Sequence, residues 1–190
     1  MISETKTKSL NNKIIPALFT EEAKMALSFY PELKKVPIEF RLTRKMGSSV
    51  MKAQPQFRSL ILKKEKRKYI VLISRQFGIK NIELSTVNIP SEVIIGWLGH
   101  ELGHIMDYKN RNSLNLIGFG IRYLLSESYF KKAEQRADRF AVEHQMKTYI
   151  LATKNFILDH TDLTENYKKK IKRLYVSPED ILEFVNEKTT

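Results

Sequence analysis

The chain of 190 residues contains no cysteine. Disulfide bonds, thiolate metal sites and a cysteine nucleophile are therefore all excluded. Any metal ion that the protein binds must be held by histidine, aspartate or glutamate side chains. Because the sequence has only 4 histidines, few positions can contribute an imidazole ligand.

Long uninterrupted apolar runs are also missing. The most apolar segment, LNLIGFGIRYLL at residues 114–125, is short and carries Arg122, whereas a membrane-spanning helix needs about 20 apolar residues. The N-terminal residues lack the apolar core of a secretory signal. We expect a cytoplasmic protein without a transmembrane segment, in which residues 114–125 either pack in the core or lie on a bilayer surface.

Acidic residues are scarce relative to basic ones. The 33 Lys and Arg residues exceed the 21 Asp and Glu residues, which gives a net charge of +12. Such a field attracts nucleic acid, anionic lipid or acidic proteins. Basic clusters at residues 63–68 and 168–173 can contact phosphates, or they can simply be a solvated hairpin tip and a solvated helix face.

The apolar content of 42% is that of an ordinary globular protein, and the length fits one domain with a substantial core. Strand-like patterns occupy the first half of the chain and helical patterns the second, which predicts an α+β fold. The predicted parts are an N-terminal helical segment, a sheet followed by a long helix, a second long helix, and C-terminal helices, at residues 1–30, 36–110, 126–151 and 161–190.

The strand predictions depend on short apolar or alternating runs. Such runs lie at residues 38–42, 58–62 and 69–73, and the last is the strongest because it is apolar and β-branched. The charged residues 63–68 separate the last two runs by a length that suits a hairpin. This pattern predicts that the two runs pair as neighbouring antiparallel strands.

Helix boundaries are indicated by capping residues and prolines. Thr20 is predicted to be an N-cap, with acids following it, and its helix is expected to end before Pro31. Ser91 is the predicted N-cap of a helix that extends to about Asn110. This second helix contains the most informative stretch of the chain, GWLGHELGHIMDY at residues 96–108.

That stretch places two histidines four positions apart. Residues i and i+4 share one face of a helix, so His100 and His104 can present ring nitrogens to one ion. Glu101 lies one step around the helix, where an H-E-x-x-H motif places the general base of a metallopeptidase. The surrounding residues are apolar on nearly every face, so the helix is expected to be buried and its polar side chains need partners. The alternative is a pair of core histidines bonded to carbonyl groups.

Two glycines flank this motif. Gly99 and Gly103 each weaken a helix by about 1 kcal/mol relative to alanine. A close approach of another segment to the backbone would explain their presence. We therefore expect a second helix or a substrate to lie against these positions.

A catalytic zinc site needs a third protein ligand, and AEQRADRFAVEHQ at residues 133–145 offers candidates. Glu134 and Asp138 share a helix face, so one acid can bind the ion while the other bonds the far nitrogen of a histidine ligand. His144 is a rival ligand, but it lies about 15 Å from Glu134 along the helix axis, so the two cannot bind the same ion. Glu127 lies two turns before Glu134. The alternative for the two acids is a solvated face that pairs with neighbouring basic residues.

HELGH followed by EQRADRFA resembles the gluzincin metallopeptidases, in the branch of the CAAX prenyl proteases, the HtpX-like heat-shock peptidases and, most similar, the small soluble minigluzincins. That branch pairs a helical HExxH with a downstream E-x-x-A-D-x-x-A. The resemblance implies Zn²⁺ bound by His100, His104 and Glu134. It also implies that Glu101 is the general base and that Asp138 supports a histidine ligand.

The same resemblance implies a zincin-like fold, in which a small mixed or antiparallel sheet packs on the active-site helix and an edge strand lines the cleft. The predicted protein is a zinc metalloendopeptidase with a peptide or protein substrate, cytoplasmic or peripheral to a membrane. Donors to the developing oxyanion are expected near the ion. The candidates are Tyr123, Arg139, His144 and Tyr149.

Two other functions remain open at this point. The basic clusters would suit a zinc protease that works on proteins bound to nucleic acid, or they could give weak association with an anionic membrane surface. A zinc-stabilised binding module without turnover is the third possibility. Salt-dependent DNA binding would identify the nucleic-acid-associated protease. Tight metal binding without cleavage would identify the binding module.

Overall fold

The computed structural model describes residues 7–10, 12–44, 46, 49–79, 82–159 and 181. The predicted C-terminal helices at 161–190 and the basic cluster at 168–173 lie outside these residues, apart from Ile181, which is buried.

Five strands form one mixed sheet, and five α-helices belong to the described part of the chain. The strands of the sheet lie in the order β1-β2-β3-β5-β4. β3 pairs in parallel with β2 and β5, while the two outer strands, β1 and β4, pair antiparallel with their neighbours. The strands are β1 Thr7–Leu10, β2 Lys13–Pro16, β3 Ile38–Thr43, β4 Met51–Pro55 and β5 Tyr69–Ser74. The predicted α+β class and mixed sheet are confirmed.

A separate hairpin and the helices complete the fold. Strands β6 Gln76–Ile79 and β7 Ile82–Ser85 pair with each other. The helices are α1 Thr20–Ser28, α2 Ser91–Lys109, α3 Ser113–Leu125, α4 Glu127–Glu143 and α5 Lys147–Asp159. None of the helices in the described residues has the length and apolar character needed to cross a membrane.

The strand predictions at 38–42 and 69–73 are confirmed by β3 and β5, but the strand at 58–62 and its hairpin are wrong. Residues Phe57–Ser59 form a 3-10 turn, and the antiparallel partner of β5 is β4. The buried Ser59 hydroxyl donates to Gln56 O and accepts from the Lys68 amide. These bonds close residues 56–68 into a loop, so its apolar residues do not enter the sheet.

The N-terminal segment is less helical than predicted. Within residues 1–30, β2 precedes α1, and the helix ends at Ser28, before Pro31. The sequence KIIP of β2 does not look like a strand because one of its buried residues is a lysine, Lys13. Its ammonium group satisfies main-chain carbonyls at Leu33 and Val36.

The predicted N-caps are each displaced by one residue. The caps are Phe19 and Pro90, and Thr20 and Ser91 are the first helical residues. A 3-10 turn runs directly into α1, so the Thr20 hydroxyl donates back to Pro16 O. The Ser91 hydroxyl donates to the Glu22 carboxylate instead of capping its own helix.

The helix predicted at 126–151 is two helices. α4 ends at Glu143, and Gln145 has a φ of 64°, in the left-handed region. The Met146 amide then bonds Ala141 O, which closes the end of α4. Because of this reversal, α5 runs back along α2, where the Thr153 hydroxyl donates to Val93 O.

Helix α2 lies at the centre of the molecule, in contact with α1, α4, α5 and β4. Its glycines allow this packing. A Cβ at Gly103 would overlap the Ala137 carbonyl of α4, and one at Gly99 would overlap the Met146 side chain. The expected close approach at both glycines is confirmed, and the neighbours are protein segments.

Candidate metal centre

The H-E-x-x-H residues lie on the part of α2 that the neighbouring helices and β4 cover. Glu101 and His104 are buried and His100 is nearly so. The i, i+4 spacing brings the two imidazole rings to 4.8 Å between centroids, at right angles to each other. The rings therefore share one side of the helix, as the spacing predicted.

Glu134 of α4 faces this pair. His100 Nε2 lies 3.1 Å from Glu134 Oε2, and His104 Nε2 lies 3.4 Å from Glu134 Oε1. Potential ligand atoms of the three residues all lie within 4.8 Å of one another. Two imidazole nitrogens and a carboxylate oxygen can hold a divalent ion such as Zn²⁺. The structure thus brings together all three predicted ligands in a group that can bind a metal ion.

Asp138 orients one of the histidines. The Nδ1–H of His100 donates to Asp138 Oδ1 over 2.7 Å, which leaves Nε2 directed at Glu134. Asp138 is fully buried and also accepts a 2.7 Å bond from the Lys154 ammonium group. The two acids are therefore interior groups, and the alternative of a solvated face is wrong.

Lys154 is a contributor that sequence reasoning missed. It lies on α5, which reaches the metal group only because the chain reverses at Gln145. No spacing pattern links Lys154 to Asp138, since the two residues belong to different helices. A buried lysine beside a buried carboxylate is recognisable only after the helices are packed.

The charges of this group reinforce one another. Burial opposes protonation of His100, but Asp138 and Glu134 outweigh it and raise the pKa of His100 to about 10. Burial also disfavours the charged carboxylates, yet the histidines hold the pKa of Glu134 well below its usual range. Lys154 and His100 together lower the pKa of Asp138. The group is thus an array of ionised side chains that compensate one another in the interior.

Glu101 points to a different neighbour, the edge strand β4. The Ala53 amide donates to Glu101 Oε2 over 2.5 Å. Burial raises the pKa of Glu101, which its histidine neighbours only partly offset. The carboxylate predicted to be a general base is therefore held in place by the backbone of β4, with a raised affinity for protons.

Of the four predicted oxyanion donors, the structure brings one to the group. The Tyr123 hydroxyl, from α3, donates to Glu134 Oε1 over 2.8 Å. Burial and the negative charge of Glu134 raise the pKa of Tyr123, so its hydroxyl stays protonated. Arg139 is exposed, and Tyr149 packs against Phe29.

The aromatic ring of Tyr108 was not singled out from the sequence. It stacks on His104 with 5.9 Å between ring centroids and lies one turn further along α2. Its i+4 position was the available signal, since residues at that spacing share a helix face. Tyr108 therefore covers one face of the His104 ring.

The rival ligands lie elsewhere. His144 donates through Nδ1 to Phe140 O, its Nε2 lies 3.2 Å from Glu32 Oε2, and its ring stacks on Tyr30. Glu127 is exposed at the first turn of α4. Neither residue joins the group of His100, His104 and Glu134.

Comparison of the chain with protein-family models, with curated protein sequences and with solved structures gives no match.

Proposed function

We propose that the protein is a zinc-dependent endopeptidase of the gluzincin type, with a zincin-like arrangement of sheet and helices. The observation that carries this proposal is the convergence of His100 Nε2, His104 Nε2 and the Glu134 carboxylate beside the buried Glu101. The three residues would hold Zn²⁺, which when bound acts as a Lewis acid toward a peptide carbonyl and lowers the pKa of water.

The chain's own residues divide the remaining work. Glu101 accepts a proton from the attacking water and later donates it to the amine that leaves when the C–N bond breaks. A carboxylate whose pKa is raised by burial suits this exchange because it accepts a proton from water more readily than an exposed carboxylate does. The Ala53 amide fixes the orientation of the Glu101 carboxylate.

Other side chains keep the ligands in position. Asp138 holds His100 in the tautomer that presents Nε2, and Lys154 in turn compensates the charge of Asp138. Tyr123 holds one oxygen of Glu134. Its protonated hydroxyl is also the nearest of the predicted donors to the place where negative charge would develop. β4 is the edge strand beside Glu101, as an extended substrate would require.

The proposal is tested with Glu101→Gln, assayed on a fluorogenic peptide library beside Glu92→Gln, an exposed glutamate on the same helix. We expect Glu101→Gln to lose about 10²–10⁴-fold in kcat/KM while its zinc content, measured by mass spectrometry, is unchanged. Glu92→Gln should match the wild type. Full activity of Glu101→Gln on a peptide that the wild type cleaves would refute the mechanism.

Zinc content decides the ligand set and the main alternative. Glu134→Ala should lose zinc, whereas His144→Ala should retain it, because Glu134 lies with the two histidines and His144 does not. If the wild type binds zinc tightly but cleaves nothing in the library, the protein is a zinc-stabilised binding module and the peptidase proposal fails.

A further inference from the structure

Helix α3 is apolar on two opposite faces. Leu116 and Phe119 pack into the core. Tyr123 lies on the same inner side of α3 and contacts Glu134 of the metal group. A helix at the surface of a soluble protein ordinarily presents polar residues on the face that points away from the core. In α3 that face is also apolar, which calls for another explanation.

We call this second face the outward face of α3, and it consists of Leu114, Ile117, Ile121, Leu124 and Leu125. At 100° per residue these side chains fall within an arc of about 100°. Leu114, Leu124 and Leu125 are 83%, 77% and 82% exposed. A contiguous apolar stripe of this kind marks an interaction site.

A basic loop adjoins the outward face of α3. The Ser113 hydroxyl, at the first residue of α3, donates to Leu60 O, and the buried Arg67 donates to the same hydroxyl. Ile61 directly follows Leu60, and Leu114 directly follows Ser113. The bond between Leu60 and Ser113 therefore brings the backbones of two exposed apolar residues close together. The basic loop, residues 56–68, is thereby continuous with the outward face of α3.

The composition of the basic loop identifies the partner. Phe57 and Ile61 are 84% and 90% exposed, and the charged run at residues 63–68 follows them along the chain. The exposed ions of the loop comprise five basic side chains and a single acid, Glu65. The basic residues are Arg58, Lys63, Lys64, Lys66 and Lys68. Arg122 adds another exposed cation on α3 itself.

We propose that the outward face of α3 and the basic loop together form a docking surface for an anionic lipid bilayer. Apolar side chains enter the boundary between headgroups and acyl chains, while lysine and arginine extend to the phosphates. Nucleic acid would match the charge but offers no contact for a leucine stripe. The inference does not depend on the proposed peptidase activity, since it concerns the opposite side of α3.

This docking would place the candidate metal group close to the membrane. Tyr123 lies on the inner side of α3 and contacts Glu134, so a single helix would separate the group from the bilayer surface. A helix of 13 residues is about 20 Å long, which suits one that lies in the plane of the interface.

Flotation with vesicles tests the proposal. The full chain is mixed with phosphatidylcholine vesicles, or with vesicles in which about one third of the lipid is phosphatidylserine, in about 0.1 M salt. We expect binding to the anionic vesicles only. The double change Leu124→Ser and Leu125→Ser should weaken it by about tenfold per leucine, and Lys63→Gln, Lys64→Gln and Lys66→Gln by about fivefold each.

Matched controls distinguish binding through this surface from nonspecific hydrophobic or electrostatic binding. Leu18→Ser removes an exposed leucine elsewhere, and Lys34→Gln with Lys35→Gln removes two exposed lysines outside the basic loop. These variants should bind as the wild type does. The proposal is overturned if the wild type ignores the anionic vesicles, or if the Leu124 and Leu125 changes leave binding intact. It is also overturned if those changes instead abolish a concentration-dependent dimer that does not bind vesicles.

Discussion

Around α2 the protein buries charged side chains, whereas on the outward face of α3 it exposes apolar ones. Asp138 is fully buried, while Leu114 is 83% exposed. Both placements reverse the usual distribution and cost free energy unless something compensates them. For the buried charges the compensation lies inside the chain, and for the exposed leucines we propose that a bilayer supplies it.

In the interior the compensation is intramolecular. Asp138 lies between His100 and Lys154, and Glu134 faces both histidines and Tyr123. On α3 the described residues provide no such cover for the leucine stripe. The interior group could therefore hold a metal ion, and the outer surface has the apolar stripe and the basic residues that the proposed bilayer docking requires.

The largest expected effect comes from breaking the interior compensation with Lys154→Met. Removal of the ammonium group leaves the buried Asp138 carboxylate with His100 as its remaining ionic partner among the described residues. We therefore expect the free energy of unfolding to fall by about 3 kcal/mol or more. Metal affinity should fall by about 10–100-fold, because Asp138 no longer holds His100 as firmly. Urea unfolding and zinc titration measure the two effects.

Lys132→Met, an exposed lysine on α4, is the matched control. It should change the free energy of unfolding by less than about 0.5 kcal/mol. If Lys154→Met and Lys132→Met are equally mild, Lys154 does not compensate the charge of Asp138.

Gly103→Ala attacks the contact between α2 and α4 that brings Glu134 to the histidines. The added methyl group would overlap the Ala137 carbonyl, which belongs to backbone and cannot rotate away. We expect a loss of about 3 kcal/mol in the free energy of unfolding, together with weaker zinc binding because Glu134 moves with α4. Thermal unfolding with and without zinc measures both effects, and an unchanged Tm would contradict the packing.

The pH dependence of the metal-free protein should show the charge on His100. Its pKa is about 10 when folded, against an ordinary value of 6.5. A raised pKa stabilises the folded state fully below pH 6.5, and this stabilisation is lost as the pH rises toward 10. In the presence of a chelator, the free energy of unfolding should therefore fall by up to about 1.4 kcal/mol per pH unit between these values.

His100→Gln is the control for this pH dependence, since it removes the titrating group. The variant should be less stable at pH 6.5, and its unfolding free energy should vary less with pH up to 10. Zinc should reverse the trend for the wild type, because the ion displaces the proton and binds more tightly as the pH rises. A flat profile for the metal-free wild type would contradict the assigned charge.

The sequence predicted those parts of the site that depend on spacing within one helix. His100, Glu101 and His104 share a stretch of α2, and Glu134 and Asp138 are one turn apart on α4, so each set could be recognised locally. The close approach at Gly103 could likewise be expected, because a glycine inside a helix has a cost that packing must explain.

The features that could not be predicted depend on how separate segments pack. Gln145 interrupts the helix predicted at residues 126–151, and a glutamine side chain does not predict a left-handed backbone. Lys154 reaches Asp138 only through that break. β4 was missed because its alternation of buried and exposed residues is short and includes Ala53 and Pro55, two residue types that are uncommon in strands. The Ala53 amide nevertheless bonds Glu101.

The smallest expected effect lies on α3, where Gly118→Ala makes the counterpart of Gly103→Ala. Among the described residues, and apart from the adjacent residues and the helix's own backbone, no atom lies within 4 Å of a Cβ placed at Gly118. The alanine should therefore stabilise the protein by about 0.5–1 kcal/mol through helix propensity alone. Thermal unfolding measures this gain, and vesicle flotation should show undiminished binding because the leucine stripe is intact. A loss of stability would mean that α3 packs against another part of the chain at this position, and the outward face of α3 would then not be free to meet a bilayer.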